Sequence, residues 1–345
     1  MNIRAARRSD KDYILKFCTN TFNWGDYVNR VIDLWYREPR GKLFVADFNR
    51  AHIGHMYQDP GIHRQIATST NTDNTTLGPI ALSHVVLCPN QTWAWIEGIR
   101  VHPKYRRHKV ATALIGKMLE YGKLHGATEA YALISDDNIA SQSLFKNYNF
   151  DLVSEWVYYN INVHHKHYQK RNKKNKNTTR MASCDDIDDV WDYMTFSEIY
   201  KLSGKRYFNS WRLYPLDYER IVDFTKQQRL ILVHNSNSLV EGLAIVGKKG
   251  GWANADILQL VYLDASSIFI LHDLISYSSN VYIPLISTNN NNKENNVKYN
   301  SINQLLIMSY HTNQLSTIMR TYRVKESARF FLYGKIGRAS CRERV

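Results

Sequence analysis

The stretch that decides the fold is His102–Ile115, HPKYRRHKVATALI. A run of β-formers, Thr92–Val101, ends just before it at His102-Pro103. A short basic loop follows, and apolar residues at helical spacing begin near Val110. The order predicted is therefore strand, basic turn, helix. Backbone N–H groups at a helix start have no intrahelical acceptor and carry partial positive charge, so they bind phosphate oxygens. Arg106, Arg107, His108 and Lys109 add positive charge at that point. A pyrophosphate would be held by amides and side chains together.

Working outward, strand and helix signals alternate. Ile3–Ala5 is strand-like, and Ser9 and Asp10 can cap a helix over Lys11–Cys18. Val28, Val31, Ile32 and Trp35 give Tyr27–Arg37 a helical period, and Leu43–Phe48 reads as a strand. Asn49–Gly78 is a long polar stretch without a period. Pro79–Cys88 and Thr92–Val101 form a predicted hairpin across Pro89-Asn90. Then come a helix over Lys109–His125, a strand over Ala130–Ile134, a helix over Ile139–Tyr148 and a strand over Phe150–Ile161. This is an α/β sheet with an antiparallel hairpin at its centre.

The segment 164–180, HHKHYQKRNKKNKNTTR, has many charges and no apolar period. It reads as an exposed basic linker rather than an RNA-binding arm, because no aromatic platform flanks it. His164, His165 and His167 have no partner ligands, so no metal site is expected. The domains expected are 1–162, a linker over 163–181, and 182–335. In the second half, helices fit Asp185–Tyr200, Asp217–Lys226, Ile268–Tyr277 and Asn313–Thr321. Strands fit Arg229–His234, Val240–Gly247, Ile257–Leu263, Val281–Ile286 and Phe330–Tyr333, with an Asn-rich insert over Asn289–Asn300. The two halves read as two copies of one architecture.

The last ten residues, Ile336–Val345 (IGRASCRERV), look like adapter sequence translated in frame, which would leave the native C-terminus missing. The net charge of +14 falls to about +12 without that tail's three arginines and one glutamate. That charge suits nucleic acid, anionic membranes or acidic cofactors, and much of it sits in the linker. No apolar run reaches the ~18–20 residues that span a bilayer, and the N-terminus has no secretory core, so a cytoplasmic protein is expected. Cys18, Cys88, Cys184 and Cys341 have neither metal-ligand nor disulfide spacing and read as buried free thiols.

Strand, V-x-P-x-Y-R, basic loop, x-V-A, helix resembles the acetyl-coenzyme A loop of the GNAT superfamily of N-acetyltransferases. The family pattern Q/R-x-x-G-x-G/A reads here Arg106-Arg107-His108-Lys109-Val110-Ala111. Lys109 stands where a glycine is usual. If that position needs φ > 0, the lysine adds strain of about 1 kcal/mol; if it is helical, Lys109 supplies the same N–H. The run 138–150, NIASQSLFKNYNF, resembles the family's N-x-x-A-x-x-L-Y-x-K-x-G-F and departs from it at Ser141, Phe145, Asn147 and Asn149. The resemblance covers residues 1–161 and implies a mixed, mainly antiparallel sheet flanked by helices, in two tandem copies, the second degenerate. It implies acetyl-CoA as cosubstrate, no metal, and an amine acceptor attacking in a ternary complex.

By resemblance, Ile99, Arg100, Val101, the loop 106–111, Asn138 and Phe145 would meet the cofactor, with the Val101 N–H on the thioester carbonyl. Glu97 is the candidate base, since strand alternation sets it on one face with Trp95, Ile99 and Val101. Phe145 stands where the family often places an acidic tyrosine. Tyr148 is the remaining candidate acid, at a position that normally packs into the core; otherwise the thiolate leaves without help. TFNWGDYV supplies the substrate candidates Trp24, Asp26 and Tyr27, beside Trp95, and Asp26 reads equally as an ammonium partner or a helix cap.

The second half lacks the cofactor loop: DASSIF follows Ile257–Leu263 with no basic cluster. It is expected to shape the substrate cleft or mediate a homodimer, and FNSWRLYPLDY (208–218) is its most distinctive patch, read as packing against the first domain. Two alternatives stay open: a non-catalytic acyl-CoA-binding module, and a nucleic-acid- or ribosome-associated protein acting through 164–180.

Overall fold

A computed structural model of the chain describes residues 1–19, 21, 25–47, 78–88, 92–162, 177–247, 257–279, 304–321 and 323–337. Most of the polar stretch 49–78, the histidine-rich start of the linker, the predicted strand Val281–Ile286 and the Asn-rich insert lie outside them. Compactness divides the chain in two. One unit is Met1–Ala132, Ala140–Asp151 and Gly334–Val345; the other is Leu133–Ile139 and Leu152–Tyr333.

The first unit contains the strands Asn2–Ala5 (β1), Gly41–Asp47 (β2), Ala81–Leu87 (β3), Trp93–Val101 (β4) and the start of Glu129–Ser135 (β5). They lie in sheet order β1-β2-β3-β4-β5. All neighbours are antiparallel except β4 and β5, which are parallel. Its helices are Lys11–Cys18 (α1), Val28–Arg37 (α2), Val110–Leu124 (α3) and the body of Ile139–Lys146 (α4). α2 buries the predicted stripe Val28, Val31, Ile32 and Trp35, and α3 buries Val110, Leu114, Ile115 and Met118. Gly122 lets α3 come close to the sheet, because a Cβ there would sit 2.8 Å from the Ala94 Cβ.

The second unit takes nearly all of Asp151–Asn162 (β6). Its other strands are Thr178–Met181 (β7), Leu230–His234 (β10), Val240–Val246 (β11), Ile257–Ala265 (β12) and Gln304–Tyr310 (β13). They lie in the order β6-β13-β12-β11-β10-β7, with Ala328–Ile336 (β14) beside β6. The first-half reading of 150–161 thus found the strand but not its partner. β6 pairs antiparallel with β13, and Val157, Tyr159 and Ile161 join the core of the second unit. β7 begins inside the segment read as linker, and neither it nor β13 is legible as a strand in the sequence.

The helix expected over Asp185–Tyr200 is broken into Ile187–Phe196 (α5) and Glu198–Leu202 (α6). Ser197 causes the break: its hydroxyl caps α6 by accepting the Tyr200 N–H at 3.2 Å. Tyr218–Lys226 (α7), Ile268–Tyr277 (α8) and Asn313–Thr321 (α9) follow the sequence reading. The patch 208–218 turns out to hold a hairpin, Arg206–Asn209 (β8) and Arg212–Pro215 (β9), joined through Ser210 and Trp211 at φ 50° and 67°. Phe208 packs edge-on against Trp156, centroids 4.6 Å apart, inside the second unit. Cys18 and Cys88 are buried, but Cys184 is exposed at a helix start, against the expectation for it.

One local device is repeated in both units. Arg4 donates to both oxygens of Asp10 at 2.7 and 2.9 Å, and Asp10 also accepts the Arg7 N–H at 2.6 Å. Arg180 and Asp186 do the same at 2.7 and 2.6 Å, with the Ser183 N–H at 2.7 Å. Each pair ties a strand, β1 or Thr178–Met181, to the single turn of tight helix that follows it. The shared pattern R-x-A-x-x-x-D, at 4–10 and 180–186, is sequence support for duplication. No helix among the described residues is long and apolar enough to cross a membrane, and none of their His, Cys, Asp or Glu side chains cluster as metal ligands.

Candidate functional site

β4 carries an extra residue relative to β3. Leu82 lies opposite Arg100 and His84 opposite Glu97, so two residues of β3 span three of β4. Gly98 takes the left-handed conformation, φ 69°, that such a bulge requires. A Cβ there would lie 2.3 Å from the Trp35 ring. The bulge corrects the simple alternation expected along β4. Trp95 and Glu97 do share a face, but the period does not carry through Gly98 to Ile99 and Val101.

Glu97 is held on both oxygens. His84 Nδ1 donates to Oε1 at 2.8 Å and Trp95 Nε1 donates to Oε2 at 3.2 Å. His84 is fully buried and stacks flat on Trp35, centroids 5.0 Å apart at 10°. The sequence alone does not mark His84, because a lone histidine in IALSHVVL looks like a core residue; its meaning comes from the residue opposite.

Asp26 is bonded to the backbone at the start of α2 and to an internal cation. It accepts the Val28 N–H at 3.1 Å, and Arg100 binds it through both ends of the guanidinium at 2.7 and 3.2 Å. Arg100 also covers the Tyr27 ring, 4.9 Å from its centroid, and donates to the Ile99 carbonyl at 3.0 Å. Its side chain is thereby committed to this cluster. Burial raises the pKa of Tyr27, partly offset by the charge of Arg100. Burial, with the charge of Asp26, pushes the neighbouring Cys18 thiol up to about 12. Trp24 lies outside the described residues.

The basic loop begins with one tight turn, Pro103–Tyr105, whose amide at Lys104 is accepted by His102 Nδ1 at 3.2 Å. Arg106 is exposed, and its Nε reaches back to the Val101 carbonyl at 3.4 Å. Arg107 and Lys109 both adopt φ > 0, at 66° and 58°. His108 Nδ1 lies 2.7 Å from the Arg106 carbonyl. Lys109 is the residue before α3, and no side chain caps that helix. The first turn of α3, Val110, Ala111 and Thr112, therefore offers amides to a ligand. Val110 itself is buried beneath them.

β4 and β5 pair only from Trp93↔Glu129 to Trp95↔Tyr131. Beyond that, β4 runs on to Val101 with no β5 partner among the described residues, which frees that edge of its backbone. Tyr148 donates its hydroxyl to the Thr112 carbonyl of α3, and burial raises its pKa. Phe145 is in the core, edge-on to Phe150 at 4.9 Å. Asn138 sits in the turn before α4, its N–H on the Ser135 carbonyl at 3.1 Å.

Residues 13–150 match the model of the acetyltransferase (GNAT) family. No curated protein sequence matches the chain. Among solved structures, the fold is similar to a GCN5-related N-acetyltransferase from Sphaerobacter thermophilus, at TM-score 0.59 and 12% identity over 97% of this chain and 95% of that one. It is similar to a tandem GNAT protein from the clavulanic acid biosynthesis pathway, at TM-score 0.52 and 9% identity over 97% and 98%. A glucosamine N-acetyltransferase region of a fungal multi-domain GH3 β-N-acetylglucosaminidase gives TM-score 0.59 and 12% identity over 97% of this chain and 38% of that one. At these identities the likeness is one of fold, and it holds for a mixed, mainly antiparallel sheet built as two GNAT-like domains.

Proposed function

We propose, for a chain whose residues 13–150 match the model of the acetyltransferase (GNAT) family, that it moves an acetyl group from acetyl-CoA to a primary amine by direct attack in a ternary complex. The observation that carries the reading is the uncapped start of α3, ringed by Arg106, Arg107 and Lys109 and set at the end of a bulged strand that holds Glu97. Acetyl-CoA supplies the activated acyl group and a thiolate leaving group. The amides of Val110–Thr112 and the loop cations hold its pyrophosphate. The unpaired edge of β4, with the Val101 N–H, stabilises charge developing on the carbonyl oxygen.

Glu97 accepts the proton that an ammonium must lose, directly or through a water. His84 and Trp95 fix the orientation of its carboxylate. Asp26 is neutralised by Arg100, so it shapes the pocket wall and does not hold the substrate ammonium. Tyr148 can deliver a proton to the thiolate only by leaving the Thr112 carbonyl. The acceptor is a small amine, an amino acid or a protein amine.

Calorimetric titration with acetyl-CoA tests the reading. Wild type and Glu97→Gln should bind alike, and Arg106→Ala more weakly. Only wild type should then release free thiol with an amine panel. Folded protein that fails to bind acetyl-CoA would sink the proposal.

A further inference from the structure

The second unit opens its sheet where the first does, but the charge there is reversed. β12 pairs with β13 in parallel from Ile257↔Gln304 to Leu260↔Ile307. It then runs on to Ala265 without that partner. This repeats the parting of β4 from β5. The helix that follows is different: Ser267 caps α8 with its own hydroxyl, accepting the Ile270 N–H at 3.4 Å. The turn before it, DASSIF, has no lysine or arginine. A phosphate therefore finds no lysine or arginine in this turn, and the Ile270 amide is already taken.

Beside the end of β12 lies a cavity of about 880 Å³. That volume is in the range of small-molecule sites, about 300–1,000 Å³. Its lining has four carboxylates, Asp189, Asp192, Glu198 and Asp264, and no Lys, Arg or His among the described residues. Asp264 is only 2% exposed and accepts three hydroxyls: Ser197 at 2.5 Å, Tyr262 at 2.8 Å and Tyr193 at 3.1 Å. Burial pushes its carboxyl above the ordinary range, against the pull of those bonds. A charge so placed is costly without a cation. The mouth is apolar. Phe196, Leu202 and Leu239, among the most exposed large hydrophobic side chains described, all line this one cavity.

We propose that this cavity binds an organic ammonium compound, its charged head among the carboxylates and an apolar body against Phe196, Leu202 and Leu239. The cleft thus keeps the place of a ligand site while its charge selects a cation instead of a phosphate. The site stands on second-unit residues alone and does not depend on acetyl transfer by the first.

The test is calorimetric titration of the full chain with phenethylamine, with 2-phenylethanol as the uncharged control. One saturable site for the amine and no saturable binding of the alcohol are expected. The double variant Asp192→Asn/Glu198→Gln changes two exposed side chains and should weaken binding about tenfold, as loss of charge-assisted contacts does. Phe196→Ala should weaken it as well. Glu97→Gln in the first unit should leave it unchanged. The proposal is overturned if phenethylamine does not saturate, if the alcohol binds as well, or if the carboxylate variants bind normally. Loss of amine binding in Glu97→Gln would also overturn it, by placing the amine in the first unit. Acetyl-CoA binding, measured separately, reports on the transferase reading alone.

Discussion

Replacing Gly98 by alanine tests the bulge on which the site is built. Two costs can be separated. Gly98 has φ 69°, and an alanine in that conformation costs about 1 kcal/mol. The added Cβ would also lie 2.3 Å from Trp35 Cη2 and 3.0 Å from Cζ3. Trp35 cannot easily step aside, because it is 2% exposed, stacked on His84 and edge-on to Tyr27 at 6.3 Å. Overpacking of that kind costs about 1–3 kcal/mol. Gly98→Ala should therefore destabilise the first unit by about 2–4 kcal/mol. Hydrogen exchange of β3 and β4 amides in the full chain reads this locally, and the slowest amides should lose protection by about thirty-fold to a thousand-fold. In a Trp35→Ala background the ring is gone, so only the backbone part, about 1 kcal/mol, should remain. Equal losses in both backgrounds, or a loss under about 1 kcal/mol beside the intact ring, would refute the claim that the ring and the bulge are coupled.

The remaining predictions concern the loop and the repeated ion pair. Lys109→Gly should relieve about 1–2 kcal/mol of left-handed strain but return about 0.5–1 kcal/mol through chain entropy, so thermal unfolding should show a gain of at most about 1.5 kcal/mol. Lys109→Val should be worse than wild type, because a β-branched residue resists φ > 0. Arg4→Met leaves Asp10 and Asp47, 6% and 5% exposed, without their guanidinium; chemical unfolding at pH 7 should show a loss of about 3–5 kcal/mol. Burial pushes the Asp10 carboxyl up, but hydrogen bonds from Arg4 and the Arg7 N–H outweigh it and hold the folded pKa below the ordinary value. Its stabilising contribution is thus present above about pH 4 and lost as acid protonates it. Arg4→Met should reverse that slope, because the same carboxyl, buried without a cation, is better tolerated when neutral. A pH series of unfolding midpoints with an unchanged slope would count against the pairing.

What the sequence determined by itself was local. Apolar periods placed α2, α3, α8 and α9, and the run into Ala111 placed a strand end, a basic turn and a helix start. Those signals are carried by neighbours within a few residues, where backbone geometry fixes which side chains share a face. The tertiary structure decided what depended on distant partners. β6 could be read as a strand, but its pairing with β13 joins residues nearly half the chain apart. The Gly98 bulge shifts the β4 period and brings His84 opposite Glu97, which neither strand shows alone. Asp26 pairs with Arg100, 74 residues on in the chain, where each is the counter-charge the other needs. Lys109 shows the division most plainly: the sequence shows that a lysine stands where glycine is usual, and only the folded loop, at φ 58°, shows that it pays the left-handed cost.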